Sequence, residues 1–400
     1  MAHMPADSGA PLPREALARI VESKLRAEIA AASGQLNPGT TVRRLPSGPW
    51  PETLAIADDA PAPTLGSDSL ERMWLAGALG EMFDLEDQAG ALLHAPAFGD
   101  WLDIVARDWR GERVTFLTSG SSGRPKPCEH RMEDLATEVD ALADAFAGRT
   151  RILTAVPAHH IYGFLFTALL PARLGVPVAA FAAPAPGDLV VSYPDHWAFV
   201  ARTHRAFASD VAGVTSTAPC PPELKADLAA LGLAALTEVY GSSETAGLGL
   251  RRHPDPAYTL MPHWSLGPAD PEGNPTVVHR SGRVVALMDR LEPVTDRTFT
   301  LAGRRDGAVQ VGGQNVHPAR IAEHLRTHPL VADAAVRLMR PDEGTRLKAF
   351  LVLAPGTDEA EAREALTAWI AGAFSAPERP VALTFGAALP VGAMGKAADW

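Results

Sequence analysis

The segment that most restricts the fold of this chain is a short loop of glycines and hydroxyl residues, residues 118–126, which reads Thr-Ser-Gly-Ser-Ser-Gly-Arg-Pro-Lys. It follows an apolar run, residues 114–117, that predicts a buried strand, and it precedes a predicted helix over 132–146. Glycine permits a positive φ, so backbone N–H groups and hydroxyls of such a loop can surround phosphate oxygens. A flexible surface linker is the alternative, but the short length and the terminal Lys126 favour a nucleoside triphosphate as the ligand.

The same residues resemble a known family signature. The loop is similar to the phosphate-binding loop of the adenylate-forming superfamily, which includes acyl-CoA and aryl-CoA synthetases, luciferases and peptide-synthetase adenylation domains. It lacks the spacing and the Gly-Lys-Ser/Thr end of a Walker A loop. The resemblance assigns nucleotide binding to Thr118, Ser119, Gly120, Ser121, Ser122, Gly123 and Lys126. Further motifs, in the order of the family, extend it over residues 113–400.

The resemblance implies an α/β large N-terminal domain with mixed sheets and flanking helices, followed by a small α+β C-terminal lid domain. We therefore divide the chain into a helical, acyl-carrier-like segment (1–110), an AMP-binding core domain (111–303) and a mobile lid domain (304–400). A chain of 400 residues is long enough for this division and for a large buried core.

The net charge and the cysteine content of the chain indicate which partners and which cellular compartment to expect. The formal net charge is −11 and no basic stripe is present, which argues against nucleic acid as the partner. The two cysteines, Cys128 and Cys220, are too few for a disulfide framework or a Cys-rich metal site, which is typical of the cytoplasm. Residues 1–4 do not have a signal-peptide pattern. Residues 152–183 are apolar but interrupted by Pro, His and Arg, so we expect no membrane span.

A second motif, residues 156–164, contains two adjacent histidines after a predicted strand. Adjacent strand residues point to opposite faces, so His159 and His160 are not expected to share a metal ion. His159 is either a core residue or a site residue. The resemblance assigns His160 to catalysis and to the acyl substrate, with Phe164 in the same pocket. Peptide-synthetase domains carry an Asp here for an α-amino group; residues 156–170 contain none, which predicts a carboxylic acid without an α-amine.

Residues 213–219 and 239–245 resemble the substrate and nucleotide motifs of the family. The first is similar to a small-residue stretch that lines the acyl pocket, which places Gly213 there. In the second, the resemblance assigns Tyr240 and Ser243 to the nucleotide, Gly241 to nucleotide and substrate, and Glu244 to catalysis and Mg²⁺. An aromatic ring can stack on a purine, and a carboxylate suits Mg²⁺. The alternative for this motif is a helix N-terminus capped by Ser243.

An Asp and an Arg follow at the spacing of the family. There, an Asp that binds both ribose hydroxyls precedes an Arg that contacts the nucleotide, and these positions match Asp289 and Arg304. A carboxylate can accept both hydroxyl hydrogen bonds. Asp296 remains an alternative to Asp289, because the two residues before Asp289 depart from the family pattern. Asp306 occupies the hinge position, about which the lid domain rotates between two half-reactions.

Two motifs lie in the lid domain. Residues 309–318 resemble the loop beyond the hinge, where Gly312 and Gly313 would line a tunnel for a pantetheine thiol; a plain β-hairpin turn is the alternative. Residues 389–396 resemble the terminal motif of the family, whose lysine, here Lys396, bridges carboxylate and α-phosphate oxygens during adenylate formation. The alternative is a solvated tail lysine.

The N-terminal segment resembles an acyl carrier protein. In carriers, the serine of an Asp-Ser-Leu motif at the start of helix II bears the phosphopantetheine arm, and Ser69 matches this serine as a candidate attachment site. Further carrier-like helices are predicted at 14–31 and 98–105. A long Pro- and Gly-rich loop, 37–63, departs from the carrier pattern, so a structural role of Ser69 as a helix N-cap is the alternative.

Together these features predict an acid–thiol ligase that uses ATP and Mg²⁺ to convert a non-amino carboxylic acid, with an aryl acid favoured, into an acyl-adenylate and pyrophosphate. The acyl acceptor would be the thiol of CoA or of the phosphopantetheine on an acyl carrier protein, and a homodimer is compatible with the sequence. The alternative is a non-catalytic interaction module that keeps the fold and partners a carrier-dependent synthase. The retained Lys396 and Glu244 argue against that alternative.

Overall fold

The structure is a computed structural model that describes residues 12–35, 45–60, 63–85, 89–118, 126–340, 342–390 and 400. Its α-helices are α1 (Arg14–Gln35), α2 (Ser69–Phe83), α3 (Ala89–Leu92), α4 (Phe98–Asp108), α5 (Met132–Ala145), α6 (Ile161–Phe164), α7 (Leu170–Leu174), α8 (Pro194–Thr203), α9 (Pro222–Ala230), α10 (Pro318–Leu325) and α11 (Glu359–Ala373). A π-helical turn, Leu165–Leu169, joins α6 to α7, and Ala376–Glu378 form a 3₁₀ turn.

The strands of the first three hundred residues are β1 (Ala55–Ala57), β2 (Thr64–Ser67), β3 (Arg113–Thr118), β4 (Lys126–Arg131), β5 (Arg151–Thr154), β6 (Val178–Ala180), β7 (Asp188–Ser192), β8 (Ala212–Thr215), β9 (Ala235–Ser242), β10 (Ala246–Arg252), β11 (Tyr258–Leu260), β12 (Trp264–Leu266), β13 (Thr276–His279), β14 (Val284–Ala286), β15 (Asp289–Pro293) and β16 (Thr298–Arg304). The remaining strands are β17 (Val309–Val311), β18 (Gln314–Val316), β19 (Val331–Leu338), β20 (Leu347–Leu353) and β21 (Pro380–Phe385).

A nine-stranded mixed sheet organises the large domain, in the order β15–β16–β11–β10–β9–β8–β7–β5–β6. The strands from β6 to β9 in this order are parallel, and those from β9 to β15 are antiparallel. Helices connect most of the parallel strands, as crossover connections require. β7 is buried along its whole length, as expected for a parallel strand covered on both faces. The predicted large α/β domain with mixed sheets is confirmed.

The predicted phosphate loop joins two strands rather than a strand and a helix. The apolar run 114–117 lies in β3 and the helix predicted over 132–146 is α5, but the sequence did not predict β4 between them. β4 pairs antiparallel with β3, from Arg113 opposite Arg131 to Thr118 opposite Lys126. β4 is largely polar, and it buries only alternate residues, so its apolar signal is weak.

The N-terminal helices pack as part of the large domain. α1, α2 and α4 confirm the three helices predicted there, whereas the parallel pair β1–β2 was not predicted. The buried residues Leu25 and Trp101 belong to the same hydrophobic cluster as Phe116 and Phe299. Apolar packing therefore continues across residue 110, and the domain boundary placed there stays a prediction. None of the helices in the described ranges is long and apolar enough to cross a membrane.

The C-terminal domain has a core of its own. α10 and α11 accompany the three-stranded sheet β19–β20–β21, and Leu325, Leu351 and Leu366 are completely buried in a cluster separate from that of the large domain. Asp358 caps α11, because its carboxylate accepts hydrogen bonds from two N–H groups of the first turn. The predicted small α+β C-terminal domain is confirmed.

Candidate active site

The turn that carries Glu244 connects β9 to β10, so the alternative of a helix N-terminus capped by Ser243 is wrong. Within the turn, the Ser242 N–H donates to Thr245 Oγ1 over 2.9 Å, and the Thr245 N–H donates to Ser242 Oγ over 3.2 Å. Local hydroxyls thus satisfy these backbone groups. The side chain of Glu244 is exposed, so its carboxylate is accessible to a ligand.

Tyr240, Asp289, Arg304 and Asp306 form one hydrogen-bonded cluster. Antiparallel pairing places Asp289, at the start of β15, opposite Arg304, at the end of β16. The Tyr240 hydroxyl donates to Asp289 Oδ2 over 2.8 Å, and Arg304 Nη1 lies 3.5 Å from Asp289 Oδ1. Arg304 also donates through Nε and Nη2 to the two carboxylate oxygens of Asp306 over 2.9 and 2.8 Å. Asp296, the alternative to Asp289, is exposed in the turn between β15 and β16.

The charges of this cluster define which groups donate and which accept. Burial, together with the Asp289 carboxylate, raises the pKa of the Tyr240 hydroxyl, which therefore stays protonated and acts as a donor. Hydrogen bonds from Arg304 lower the pKa of the Asp306 carboxyl. An ionised carboxylate has lone pairs for several donors, so Asp289 can accept hydroxyl hydrogen bonds while it holds Tyr240.

The adjacent histidines lie in the turn before α6 and not on a strand, so the reason given for excluding a shared metal ion was wrong. The ring centroids of His159 and His160 are 4.2 Å apart, and Ser23 Oγ lies 2.7 Å from His159 Nδ1. Burial, then the neighbouring His160 and Lys24, lower the pKa of His159 to about 3. Burial of the imidazole and the nearby Lys24 also lower the pKa of His160, although the residue as a whole is exposed. Among the residues that the structure describes, no group of three His, Cys, Asp or Glu side chains could hold a metal ion.

Sequence reasoning missed the part that α1 plays at this histidine turn. Ser23 precedes His159 by 136 residues, and no local pattern connects positions so far apart. The sequence did contain one indication of a polar contact at this helix: Lys24 lies between the apolar residues Val21 and Leu25. Lys24 is buried and pairs with Glu28 over 2.7 Å.

Three residues that the resemblance assigned to the substrate pocket have packing roles. Phe164 is completely buried in the core of the large domain. A Cβ atom at Gly213 would lie 2.8 Å from the indole ring of Trp197, and one at Gly241 would lie 1.9 Å from the carbonyl oxygen of Ala246. Both glycines are thus required by neighbouring protein atoms. Their contact with an acyl group stays a prediction, as does that of Phe164.

Gly312 and Gly313 connect β17 to β18, with φ values of 57° and 77°. Two successive positive φ angles are what a two-residue type I′ hairpin turn requires, so the β-hairpin alternative describes the local structure. A Cβ atom at Gly313 would lie 3.2 Å from Thr217 Oγ1, in the stretch 213–219. The hairpin therefore lies against the segment predicted to line the acyl pocket, and the thiol tunnel stays a prediction.

The remaining predicted site residues differ in how far the structure describes them. Thr118 ends β3 and Lys126 begins β4, and they are paired across the hairpin. The residues Ser119, Gly120, Ser121, Ser122, Gly123 and Lys396 lie outside the described residues, so their roles stay predictions.

Ser69 is the first residue of α2 and not its N-cap. The cap is Asp68, whose carboxylate accepts a hydrogen bond from the Glu71 N–H over 2.7 Å, so the alternative structural role of Ser69 was wrong by one residue. Ser69 is exposed, and Leu70 beside it is 73% exposed. Attachment of phosphopantetheine to Ser69 stays a prediction.

Comparison with known proteins identifies the family. A sequence model described as "AMP-binding enzyme" matches residues 106–287, and one described as "AMP-binding enzyme C-terminal domain" matches residues 320–396. A 4-coumarate–CoA ligase of Halorhodospira halophila is 35% identical over 394 residues, which span 94% of this chain and 97% of that protein. The chain belongs to the AMP-binding enzyme family.

A second relative agrees with this AMP-binding enzyme assignment, and one solved structure agrees in fold. A 4-coumarate–CoA ligase of Cereibacter sphaeroides is 36% identical over 413 residues, 97% of each chain. The solved structure of an amide bond synthetase from Marinactinospora thermotolerans shares the fold with a TM-score of 0.61 at 18% identity, over 94% of this chain and 92% of that one. The predicted adenylate-forming fold is confirmed, and so is the prediction of an AMP-forming acid–thiol ligase.

Proposed function

We propose that this AMP-binding enzyme activates an aryl carboxylic acid with ATP and then joins the acyl group to the thiol of CoA. The observation that carries the proposal is the Tyr240–Asp289–Arg304–Asp306 cluster. It offers an aromatic ring for a purine, a carboxylate for ribose hydroxyls and an arginine at the first residue of the predicted lid domain. The names of two relatives, 4-coumarate–CoA ligases, support an aryl acid and CoA.

In the first half-reaction, a carboxylate oxygen of the acid attacks the α-phosphorus of ATP. A new P–O bond forms, the bond from the α-phosphorus to the bridging oxygen breaks, and pyrophosphate leaves. The reaction needs positioning and charge neutralisation rather than a protein nucleophile. In the proposal, the loop 118–123 and Lys126 bind the phosphates, His160 contacts the acid, and Lys396 neutralises the charge that builds between carboxylate and α-phosphate.

The residues around Glu244 fit Mg²⁺. Glu244 offers an exposed carboxylate on a turn whose Ser242 and Thr245 N–H groups are already hydrogen-bonded. Mg²⁺ prefers oxygen ligands and is usually bound by one or two carboxylates together with substrate phosphates. Glu244 would hold the ion, and the bound ion would supply neutralisation of phosphate charge.

In the second half-reaction, the thiolate of the acceptor attacks the carbonyl carbon of the adenylate. The C–S bond forms, the bond from the carbonyl carbon to the phosphate oxygen breaks, and AMP leaves. In the proposal, rotation at Asp306 withdraws Lys396 and brings Gly312 and Gly313 to the thiol. An acyl carrier protein as acceptor, a cytoplasmic location and a homodimer stay predictions.

The test is ATP–pyrophosphate exchange with a panel of hydroxycinnamates, benzoates and fatty acids. We expect exchange with an aryl class, and Lys396→Ala should lower its rate by about 100-fold or more, because it removes a charge that acts on the transition state. Arg320→Ala, which removes a positive charge from an exposed residue of α10 in the lid domain, is the control and should keep the rate. CoA thioester formation from the same acids would identify the acceptor.

The alternatives to this proposal have distinct outcomes. Exchange with fatty acids alone would contradict the proposed aryl substrate but would still support adenylation of a carboxylic acid. No exchange with any acid would contradict adenylation and favour the non-catalytic interaction module.

A further inference from the structure

Three side chains from other parts of the chain hold the backbone of the turn that carries Glu244. His130 Nε2 lies 2.6 Å from the carbonyl oxygen of Ser243; since a carbonyl only accepts, Nε2 carries the proton and donates. Arg283 Nη1 donates to the carbonyl oxygen of Glu244 itself over 2.9 Å. Past the turn, the Gly247 N–H donates to both carboxylate oxygens of Glu138, over 3.0 and 3.1 Å.

The contact of Glu138 is buried and that of His130 is partly buried, which makes both costly to lose, whereas the contact of Arg283 with Glu244 is exposed. His130 and Glu138 are each only 2% exposed. A buried carbonyl or N–H that loses its partner keeps the full penalty of its desolvation. Only glycine fits at position 247 beside Glu138, because a Cβ atom there would lie 2.3 Å from Glu138 Oε1.

Two of the three side chains come from the elements that follow the predicted phosphate loop in the chain. His130 lies in β4, which begins at Lys126 and leads out of that loop, and Glu138 lies in α5, which follows β4. Arg283 lies between β13 and β14; its guanidinium is 5.4 Å from the ring centroid of Trp264, and its Nε is 3.9 Å from Asp134 of α5. β4, through His130, and α5, through Glu138, thus both contact the segment that bears Glu244.

We propose that His130, Glu138 and Arg283 form a cradle of positioning residues that orients Glu244 towards the metal–nucleotide complex. This inference rests on the proposed function, in which Glu244 holds Mg²⁺. None of the three side chains has to touch the ligand. They act through the backbone of residues 243–247, so the effect of their loss reaches Mg²⁺–ATP and not the acid.

The test compares His130→Phe with His130→Gln and with Glu129→Gln. His130→Phe keeps an aromatic ring near Phe116, whose ring centroid is 5.9 Å from that of His130, but removes the donor to Ser243. His130→Gln retains an N–H donor. Glu129→Gln alters the adjacent residue of β4, whose exposed side chain pairs with Arg113, and serves as the matched control.

The first readout does not depend on activity: hydrogen–deuterium exchange of the peptide covering residues 239–250 in the ligand-free protein. We expect faster exchange in His130→Phe, and exchange close to that of the unaltered protein in His130→Gln and Glu129→Gln. The second readout is kinetic. KM for Mg²⁺–ATP should rise about tenfold in His130→Phe, with KM for the acid nearly unchanged.

Two outcomes would overturn the cradle. One is unchanged exchange at 239–250 together with an unchanged KM for Mg²⁺–ATP in His130→Phe. The other is a uniform loss, in which exchange and both KM values change together in His130→Phe and His130→Gln, because that indicates general destabilisation. Glu244→Gln separates the proposed function from this inference. If it leaves the Mg²⁺ dependence intact while His130→Phe still loosens the turn, the assignment of Glu244 to Mg²⁺ fails and the cradle is a structural device only.

Discussion

At the scale of single residues, the candidate nucleotide site depends on a donor that its surroundings keep protonated. Tyr240 is surrounded by the rings of Tyr258 and Phe299, with centroid distances of 5.6 Å to each, so burial alone disfavours its phenolate. The Asp289 carboxylate disfavours it further. The hydroxyl is therefore held as a donor to Asp289, and this sets the orientation of the carboxylate that we propose for the ribose.

Replacing Tyr240 by Phe tests that orientation. The ring stays, but Asp289 loses the hydrogen bond of 2.8 Å, and a hydrogen bond to a charged group contributes about 1.5–3 kcal/mol. We expect KM for ATP to rise about tenfold or more, with KM for the acid little changed. Steady-state kinetics with each substrate varied in turn measure both.

Tyr258→Phe is the control for this prediction. Tyr258 lies beside Tyr240, but its hydroxyl contacts Arg251 at 3.1 Å rather than Asp289. An equal rise in KM for ATP in both variants would mean that the Tyr240–Asp289 bond has no special role.

At the scale of secondary structure elements, α1 serves the core and the histidine turn at once. Ile20 and Leu25 of this helix are completely buried, while Ser23 reaches His159 and Lys24 lies close enough to lower the pKa of both histidines. The helix therefore helps to bury the imidazole of His159 in its neutral form. Protonation of this ring favours the unfolded chain, so the free energy of unfolding depends on pH.

The pH dependence has a defined sign. The pKa of His159 is about 3 in the folded protein against an ordinary 6.5, so between these values the unfolded chain binds more protons. The free energy of unfolding must fall as the pH is lowered from 6.5 towards 3. His159→Asn should make this fall shallower, by up to about 1 kcal/mol per pH unit. Urea denaturation at pH 6.5, 5.5 and 4.5 measures the slope.

His94→Asn, at an exposed histidine, is the reference for the slope measurement. The same change of slope in both variants would remove the link between the α1 contact and the pH dependence.

At the scale of the whole molecule, the buried apolar side chains of the described residues form three clusters. One joins residues from the N-terminal helices to Phe299, a second lies within residues 153–236 of the large domain, and the third lies within residues 311–374. A helix of the first segment therefore supports the central sheet directly, whereas the lid domain depends on its own packing.

This division predicts which parts unfold together. Leu25→Ala removes a completely buried side chain of α1 and should destabilise the large domain by about 2–5 kcal/mol. Leu366→Ala, equally buried in α11, should destabilise the lid domain by a similar amount. Hydrogen exchange monitored across the chain should show faster exchange up to β16 in the first variant and beyond β17 in the second.

A different pattern of hydrogen exchange would contradict this prediction. Faster exchange confined to residues 12–108 in Leu25→Ala would restore the N-terminal segment as an independent domain, as the boundary at residue 110 implied.

Prediction from sequence selected Asp289, Arg304 and Asp306 through the family resemblance and its spacing. The structure brings the three side chains together because β15 and β16 form one hairpin, and their roles stay predictions. Sequence prediction failed at β4, whose polar residues give little strand signal. At the Ser243 motif only the alternative of a helix cap was wrong, because a cap and a tight turn share the same residue types.

The sequence by itself determined the family, since each of its motifs is a few consecutive residues whose types suit one local chemistry, and the resemblance to that family implied the two-part architecture. Only the tertiary structure decided that Ser23 meets His159 and that His130 and Glu138 hold the Glu244 turn. These pairs are separated by 136, 113 and 109 residues. Contacts at such separations form because burying the surrounding apolar side chains brings the elements together, and no local pattern encodes which polar groups then face each other.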